Sequence, residues 1–443
     1  MERPARFEAI GSSFARDLSA AAAISEIGVR GNENVRLYLG TFRKHIQDRV
    51  ALNPKSTYLQ YTVLSVDFYR QYLCRHSGKE YRKAHPLNRG THSAASRDMK
   101  PKVDIATVDL FCGVGGLSLG LQKAGFRIVA GIDLDPSCKS VYERNISAPF
   151  LLRDVALLEP ADLRALYGDA KIRALVACAP CQPFSGYTTK RRKVDDRWQL
   201  LNSVARLAVS VKPEIITVEN VARLAKLPLW SDFVEALLEA GYQTAWNVVD
   251  SSDFGVPQKR RRLVLIASLI GGIIMPKPIT SRCLDVRRAI GHLPPVAAGE
   301  VSKSDRLHVS RNLTSKNKRR MIASKCGGTW RDWPRSLRVD CHVRETGRTY
   351  PSVYGRMEWD EPAPTITTQF YGFGNGRFGH PDQDRALTLR EGALLQTFPE
   401  SFEFLCDDEK VNFNKLGRLI GNAVPPALAK VIGQHLMNHA ANA

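Results

Sequence analysis

The chain has 443 residues, 44% hydrophobic and 24% charged, with 32 Gly and 24 Pro. These proportions supply a core for two or three domains and exclude a disordered chain, a collagen-like repeat or a small disulfide scaffold. The formal charge is +20 and is localised, with +8 in residues 1–100 and +10 in residues 281–350.

Two basic blocks around a nearly neutral body point to a polyanion partner, because Lys and Arg that neutralise phosphates release counterions. On charge alone, a merely soluble basic surface stays open. The first residues, MERPARFEAI, contain no apolar leader segment, so no secretory signal is expected. The longest nearly apolar run, Leu263 to Met275, has 13 residues, short of the roughly 20 that span a bilayer. Nine scattered cysteines fit reduced thiols in a cytoplasmic setting better than a disulfide framework.

Residues 1–85 read as a basic helical extension. Asn34–Leu52 and Tyr58–Cys74 carry apolar residues at mixed three- and four-residue spacing, with Asn53-Pro54 as the turn between them. Residues 86–103 read as a linker. From Asp104 onward, short apolar runs (IATVDLF, RIVAGID, ALVACAP, IITVEN, TAWNVVD, RLVLIAS) alternate with amphipathic stretches such as Ser231–Ala240. That alternation predicts an α/β architecture with a mostly parallel sheet. It fails past Pro276, where Gly, Pro, Trp and Arg dominate, and a helix over Ala427–Met437 closes the chain. The expected division is residues 104–280, 281–385 and 386–443.

Five segments carry candidate chemistry. Asp109-Leu-Phe-Cys-Gly-Val-Gly-Gly-Leu117 follows a strand and opens a helix, with Asp133 twenty residues beyond Gly113. Glycines there let a ligand approach the backbone, and an acid ending the second strand is placed for a ribose hydroxyl. The spacing is not GxGxxG, which weighs against NAD or FAD, and a structural tight turn is the alternative. Ala177-Cys-Ala-Pro-Cys-Gln-Pro-Phe-Ser185 ends another strand. Its Cys178-x-x-Cys181 pair could be a redox couple or half a zinc site. No second CxxC exists, so Cys181 reads as a positioned nucleophile or an inert thiol. Glu219, in Thr217-Val-Glu-Asn-Val221, could move a proton or be a surface carboxylate. The run Gln258-Lys-Arg-Arg-Arg262 reads by default as a solvated charged face. Ile420-Gly-Asn-Ala-Val-Pro-Pro426 is a rigid turn before the last helix.

In this order the segments resemble the cytosine-C5 DNA methyltransferase family of prokaryotic restriction–modification type, over roughly residues 104–437. DLFCGVGGLSLG, PCQPFS (180–185), ENV (219–221), Gln258-x-Arg260-x-Arg262, TLREGALLQTFPESF (388–402) and GNAVPP (421–426) carry the resemblance. Arg261 departs from it, standing where the family often has Glu. The resemblance implies a Rossmann-like methyltransferase sheet, a smaller target-recognition domain at 281–385, and S-adenosylmethionine as methyl donor. Phe111, Gly113, Val114 and Gly116 would hold the donor, Asp133 its ribose, and Leu134 and Asp154 its adenine. Val155, Pro180, Leu200, Asn422 and Val424 would complete the pocket, with no metal.

The same resemblance implies that Cys181 attacks C6 of a flipped-out cytosine. Glu219 would hold N3 and the 4-amino group, Arg262 would bind O2, and Arg260 would act with them as a catalytic residue. Gln182, Ser185, Arg331, Arg335, Arg338 and Arg356 would contact duplex DNA, with sequence readout within about residues 325–358. Further expectations are a monomer and a partner restriction endonuclease. Two rivals remain: a transfer-RNA cytosine methyltransferase, and a DNA-binding regulator acting through the N-terminal block.

Overall fold

β1 (Ile105–Leu110) is buried along its whole length. Its side chains divide by parity: Ile105 enters one apolar cluster, while Ala106, Val108 and Leu110 enter another. β4 (Ile172–Ala177) and β5 (Ile215–Val221) repeat the pattern, as expected of strands covered by helices on both faces. These observations come from a computed structural model, which describes residues 103–180, 199–279, 284–345 and 352–443. The expected helices at 34–52 and 58–74, and the expected linker, lie outside the described residues apart from residue 103.

The sheet has seven strands in the order β3-β2-β1-β4-β5-β7-β6. β2 is Arg127–Asp133, β3 Phe150–Leu152, β6 Gln243–Asp250 and β7 Arg261–Ser268. β1 to β5 pair in parallel, and β7 runs antiparallel between β5 and β6. The α/β expectation holds. β3 was not anticipated, because three residues are too few to show a period.

The helices follow in chain order: α1 Gly116–Ala124, α2 Pro136–Asn145, α3 Pro160–Tyr167, α4 Gln199–Val211 and α5 Pro228–Glu239. Beyond them come α6 Val286–Ile290, α7 Ser315–Ile322, α8 Asp340–Val343, α9 Leu389–Leu395, α10 Phe413–Asn422 and α11 Pro426–Ala440. Apolar residues of α1, α2, α9, α10 and α11 share the first cluster, and those of α3, α4 and α5 the second. None of the described helices is long and apolar enough to cross a membrane.

A third, small cluster joins Met321, Trp330, Trp333, Leu337, Phe373 and Ala386. Arg320 reinforces it. Its guanidinium lies 5.5 Å from the Trp333 ring centroid and 5.4 Å from that of Tyr354, and its Nε donates to the Leu337 carbonyl at 2.8 Å. Among the described residues of 281–385, Val286, Ile290, Leu307, Ala363, Ile366 and Phe370 enter the first core.

Candidate active site

The parallel strands end on one edge, and the candidate residues collect there. β1 runs directly into the glycine loop, where Phe111 adopts φ 57°, Gly113 φ 54° and Gly115 φ 88°. Left-handed backbone at Phe111 is strained for a side chain with a Cβ, and such strain is retained where the surrounding structure holds it. Asp133, at the end of β2, ties the loop down. Its Oδ2 accepts from the Gly113 amide and its Oδ1 from the Asp135 amide, each at 2.9 Å. Burial raises its pKa above the ordinary carboxylate value against those amide bonds.

A Cβ placed on Gly113 would meet nothing within 4 Å, whereas one on Gly116 would overlap the Val424 carbonyl oxygen. The loop is thus open beside Gly113 and closed onto the GNAVPP turn at Gly116. Leu134 is 64% exposed, unusual for Leu so close to a core. Asp154 lies just past β3, its Oδ1 accepting from the Ala156 amide at 2.9 Å, and Val155 is buried. Pro180 and Asn422 are exposed and Leu200 is half-buried. An open glycine loop, an exposed apolar side chain and two carboxylates at neighbouring strand ends fit an adenosyl group.

Beneath the loop lies a polar chain that the sequence did not single out. Asp109 is fully buried. Its Oδ2 accepts from the Ser118 hydroxyl at 2.6 Å, Ser118 Oγ lies 3.0 Å from the Tyr142 hydroxyl, and Asp109 Oδ1 has no hydrogen-bond partner among the described residues. Burial, opposed by the Ser118 bond, pushes the carboxyl up to about 7. An acid raised in the folded state is protonated there while the unfolded chain has already released its proton. Stability therefore falls as pH rises from about 4 to about 7, by as much as roughly 4 kcal/mol from this group. Asp109→Asn is expected to raise the melting temperature of the ligand-free protein by several degrees at pH 8 and little at pH 4. An equal shift at both pH values would contradict this account.

The second group of residues surrounds Glu219, which is 4% exposed. Arg262 Nε lies 3.0 Å from Glu219 Oε1, and the Cys178 thiol donates to Glu219 Oε2 at 3.1 Å. Asn220 Nδ2 donates to the Ala179 carbonyl at 3.1 Å, fixing the backbone that leads into residues 180–185. The antiparallel course of β7 brings Arg262 opposite Val221 in register, beside the ENV strand end. Arg261 is exposed. Cys181, Gln182 and Ser185 lie outside the described residues.

Arg260 is placed differently from the expectation that it acts in catalysis. It is 3% exposed and donates to the carbonyls of Ile366, Gly421 and Ala423. The guanidinium thus joins residues 362–368 (PAPTITT) to the end of α10, which carries Asn422. Gln258 and Gln396 extend this joint. Gln258 Nε2 donates to Gln396 Oε1 at 2.9 Å, and Gln396 Nε2 reaches the Ile420 carbonyl at 2.8 Å. Buried amides satisfied in this way rigidify the segments they connect. Only their full burial, invisible in a linear motif, reveals Gln396 and Arg260 as structural.

The arginines expected on DNA divide. Arg331 and Arg335 are exposed. Arg338 directs Nε to the Trp333 carbonyl and Nη2 to that of Arg331. Arg356 is a correction: it is 4% exposed and donates to the carbonyls of Ser324, His380, Gln383 and Met321 and to the Asp384 carboxylate. Its guanidinium is committed to the fold. Trp330 and Trp333, within the stretch expected to carry sequence readout, are likewise core residues.

With this geometry established, comparison with known proteins is informative. The family described as "C-5 cytosine-specific DNA methylase" matches residues 105–438. A Type II methylase of Herpetosiphon aurantiacus, M.HgiDII, is 46% identical over 336 residues, covering 75% of this chain and 94% of the relative. The Type II methyltransferase M1.HphI of Haemophilus parahaemolyticus is 32% identical over 343 residues, covering 76% and 87%. Among solved structures, a prophage-encoded E. coli protein described as a DNA modification methyltransferase superposes with a TM-score of 0.57. It is 23% identical, and the match covers 75% of this chain and 99% of that one, a likeness of fold.

Proposed function

The chain belongs to the C-5 cytosine-specific DNA methylase family, and from that premise we propose that Cys181, Glu219 and Arg262 carry its chemistry. The protein transfers a methyl group from S-adenosylmethionine to carbon 5 of cytosine in DNA, in the manner of its Type II restriction–modification relatives. The transfer-RNA and regulator readings are not favoured by these relatives.

The single observation that supports the assignment is the pairing of the buried Glu219 with Arg262, 3.0 Å apart beside the strand end that precedes Cys181 in the chain. Carbon 5 of cytosine is too weak a nucleophile to take a methyl group unaided. The Cys181 thiolate forms a bond to C6, and the C5–C6 electron pair moves toward C5 and the ring. Glu219 accepts from the 4-amino group and shares a proton with N3, and Arg262 turns from the carboxylate to O2, so charge entering the ring is neutralised as it forms. Bound S-adenosylmethionine would supply an electrophilic methyl group for C5, with S-adenosylhomocysteine as the leaving group. A base then takes the C5 proton and the S–C6 bond breaks, restoring the thiolate.

Phe111, Gly113, Val114, Gly116, Asp133, Leu134, Asp154, Val155, Pro180, Leu200, Asn422 and Val424 would form the donor pocket. The target base must leave the duplex to reach this edge, which takes a few kcal/mol that contacts to DNA must offset. For those contacts we favour Gln182, Ser185, Arg331 and Arg335, the last two exposed on the small third cluster. We further propose a cytoplasmic monomer paired with a cognate restriction endonuclease.

Replacing residues 281–358 with the corresponding block of a family member that has another target is expected to transfer the donor's methylated sequence. Sequencing the modified cytosines reads this directly. An unchanged target would place readout elsewhere in the chain.

A further inference from the structure

Glu219 is approached at both oxygens, as an ion pair at Oε1 and through a hydrogen bond at Oε2. Arg262 Nε faces Oε1 at 3.0 Å, while the thiol of Cys178 donates to Oε2 at 3.1 Å. Cys178 continues the β4 ladder, its amide donating to the Leu110 carbonyl at 3.3 Å, so its side chain projects from a fixed strand end. The neighbouring Asn220–Ala179 bond locks the same two strand ends together. On the assignment above, Arg262 leaves the carboxylate when cytosine enters. Cys178 then keeps its grip.

We propose that Cys178 is a positioning residue for methyl transfer, its thiol holding the Glu219 carboxylate in the orientation that meets N3 and the 4-amino group. This rests on the reading of Glu219 as the base-holding acid. A carboxylate on a side chain with three rotatable bonds loses productive geometry readily, and a misplacement of about 1 Å can lower a rate a hundredfold. One oriented hydrogen bond accounts for a smaller share, roughly tenfold. The C-x-x-C spacing with Cys181 is incidental to this role, which depends on the contact to Glu219.

The test compares steady-state kinetics of the full chain and its Cys178→Ala, Cys178→Ser and Glu219→Gln variants on a duplex containing the target. Cys178→Ala is expected to lower kcat about tenfold, with KM for DNA and for S-adenosylmethionine within about twofold of the parent. Cys178→Ser, which keeps a donor, should recover kcat to within about threefold. A packing role would not separate Ser from Ala in this way. If Glu219→Gln is crippled while Cys178→Ala matches the parent, or Ser is no better than Ala, the proposal for Cys178 is overturned alone. If Glu219→Gln retains full activity, the reading of Glu219 falls and the proposal falls with it.

Discussion

Replacing Glu219 by Gln is expected to lower kcat by about 10²–10⁴-fold, the range supplied by a positioned acid–base group. The amide keeps the size of the carboxyl and its place between Cys178 and Arg262. Its NH₂ can donate to N3 and its oxygen can accept from the 4-amino group, but it cannot transfer a proton to N3. Electron density arriving in the ring as Cys181 adds would then stay unneutralised. Binding of DNA and donor should change only a few-fold, because the deficit arises in the transition state. Single-turnover methyl transfer at saturating DNA measures it, and a rate within tenfold of the parent would exclude Glu219 from the chemistry.

Gly116→Ala should have the next largest effect. The obstacle is not backbone conformation but space: the new Cβ would overlap the Val424 carbonyl and press on the Phe398 ring. A carbonyl in a turn anchored by Arg260 and Gln396 cannot swing aside as a flexible side chain would. Overpacking of this kind destabilises by about 1–3 kcal/mol. It would also part the glycine loop from the GNAVPP turn, so we expect affinity for S-adenosylmethionine to fall at least roughly tenfold, since each lost 1.4 kcal/mol is a factor of ten. Gly113→Ala makes the contrast. A Cβ there meets open space at φ 54°, and the strain of a left-handed residue is about 1–2 kcal/mol. Calorimetric titration of the donor against both variants distinguishes steric closure from strain.

Much of the fold and part of the site can be read from the sequence, for identifiable reasons. Strands buried on both faces are continuous apolar runs, and β1, β4, β5 and β7 stand out for that reason, while β2 and the more exposed β6 show as short β-branched runs. The glycine loop and Asp133 are legible because one βαβ unit sets their spacing, and the Gly113–Asp133 bond joins them. What escapes depends on distant partners. Cys178 meets Glu219 across 41 positions and Arg260 meets Gly421 across 161, and no local period encodes either contact.

The stretch of about 325–358 expected to carry sequence readout, with the residues just before it, is only partly legible for a related reason. Arg and Trp together suggest a nucleic-acid surface, yet Arg320, Trp330, Trp333 and Arg356 are buried. A region with little regular secondary structure needs side chains to satisfy its loose carbonyls, and five-donor guanidinium groups do that. Composition reports the charge of such a segment but not which arginines face outward.

The central claim is that Cys181 attacks C6 of the target cytosine, and the most direct measurement is a covalent trap. In a duplex carrying 5-fluorocytosine at the methylated position, the final step cannot proceed, because C5 bears fluorine where a proton must leave. Incubation with S-adenosylmethionine followed by digestion and peptide mass spectrometry should find the methylated, fluorinated nucleotide bonded to the sulfur of Cys181. The Cys181→Ser variant should give no such adduct. An adduct on Cys178 or another residue, or methyl transfer that proceeds in the Ser variant, would contradict the account.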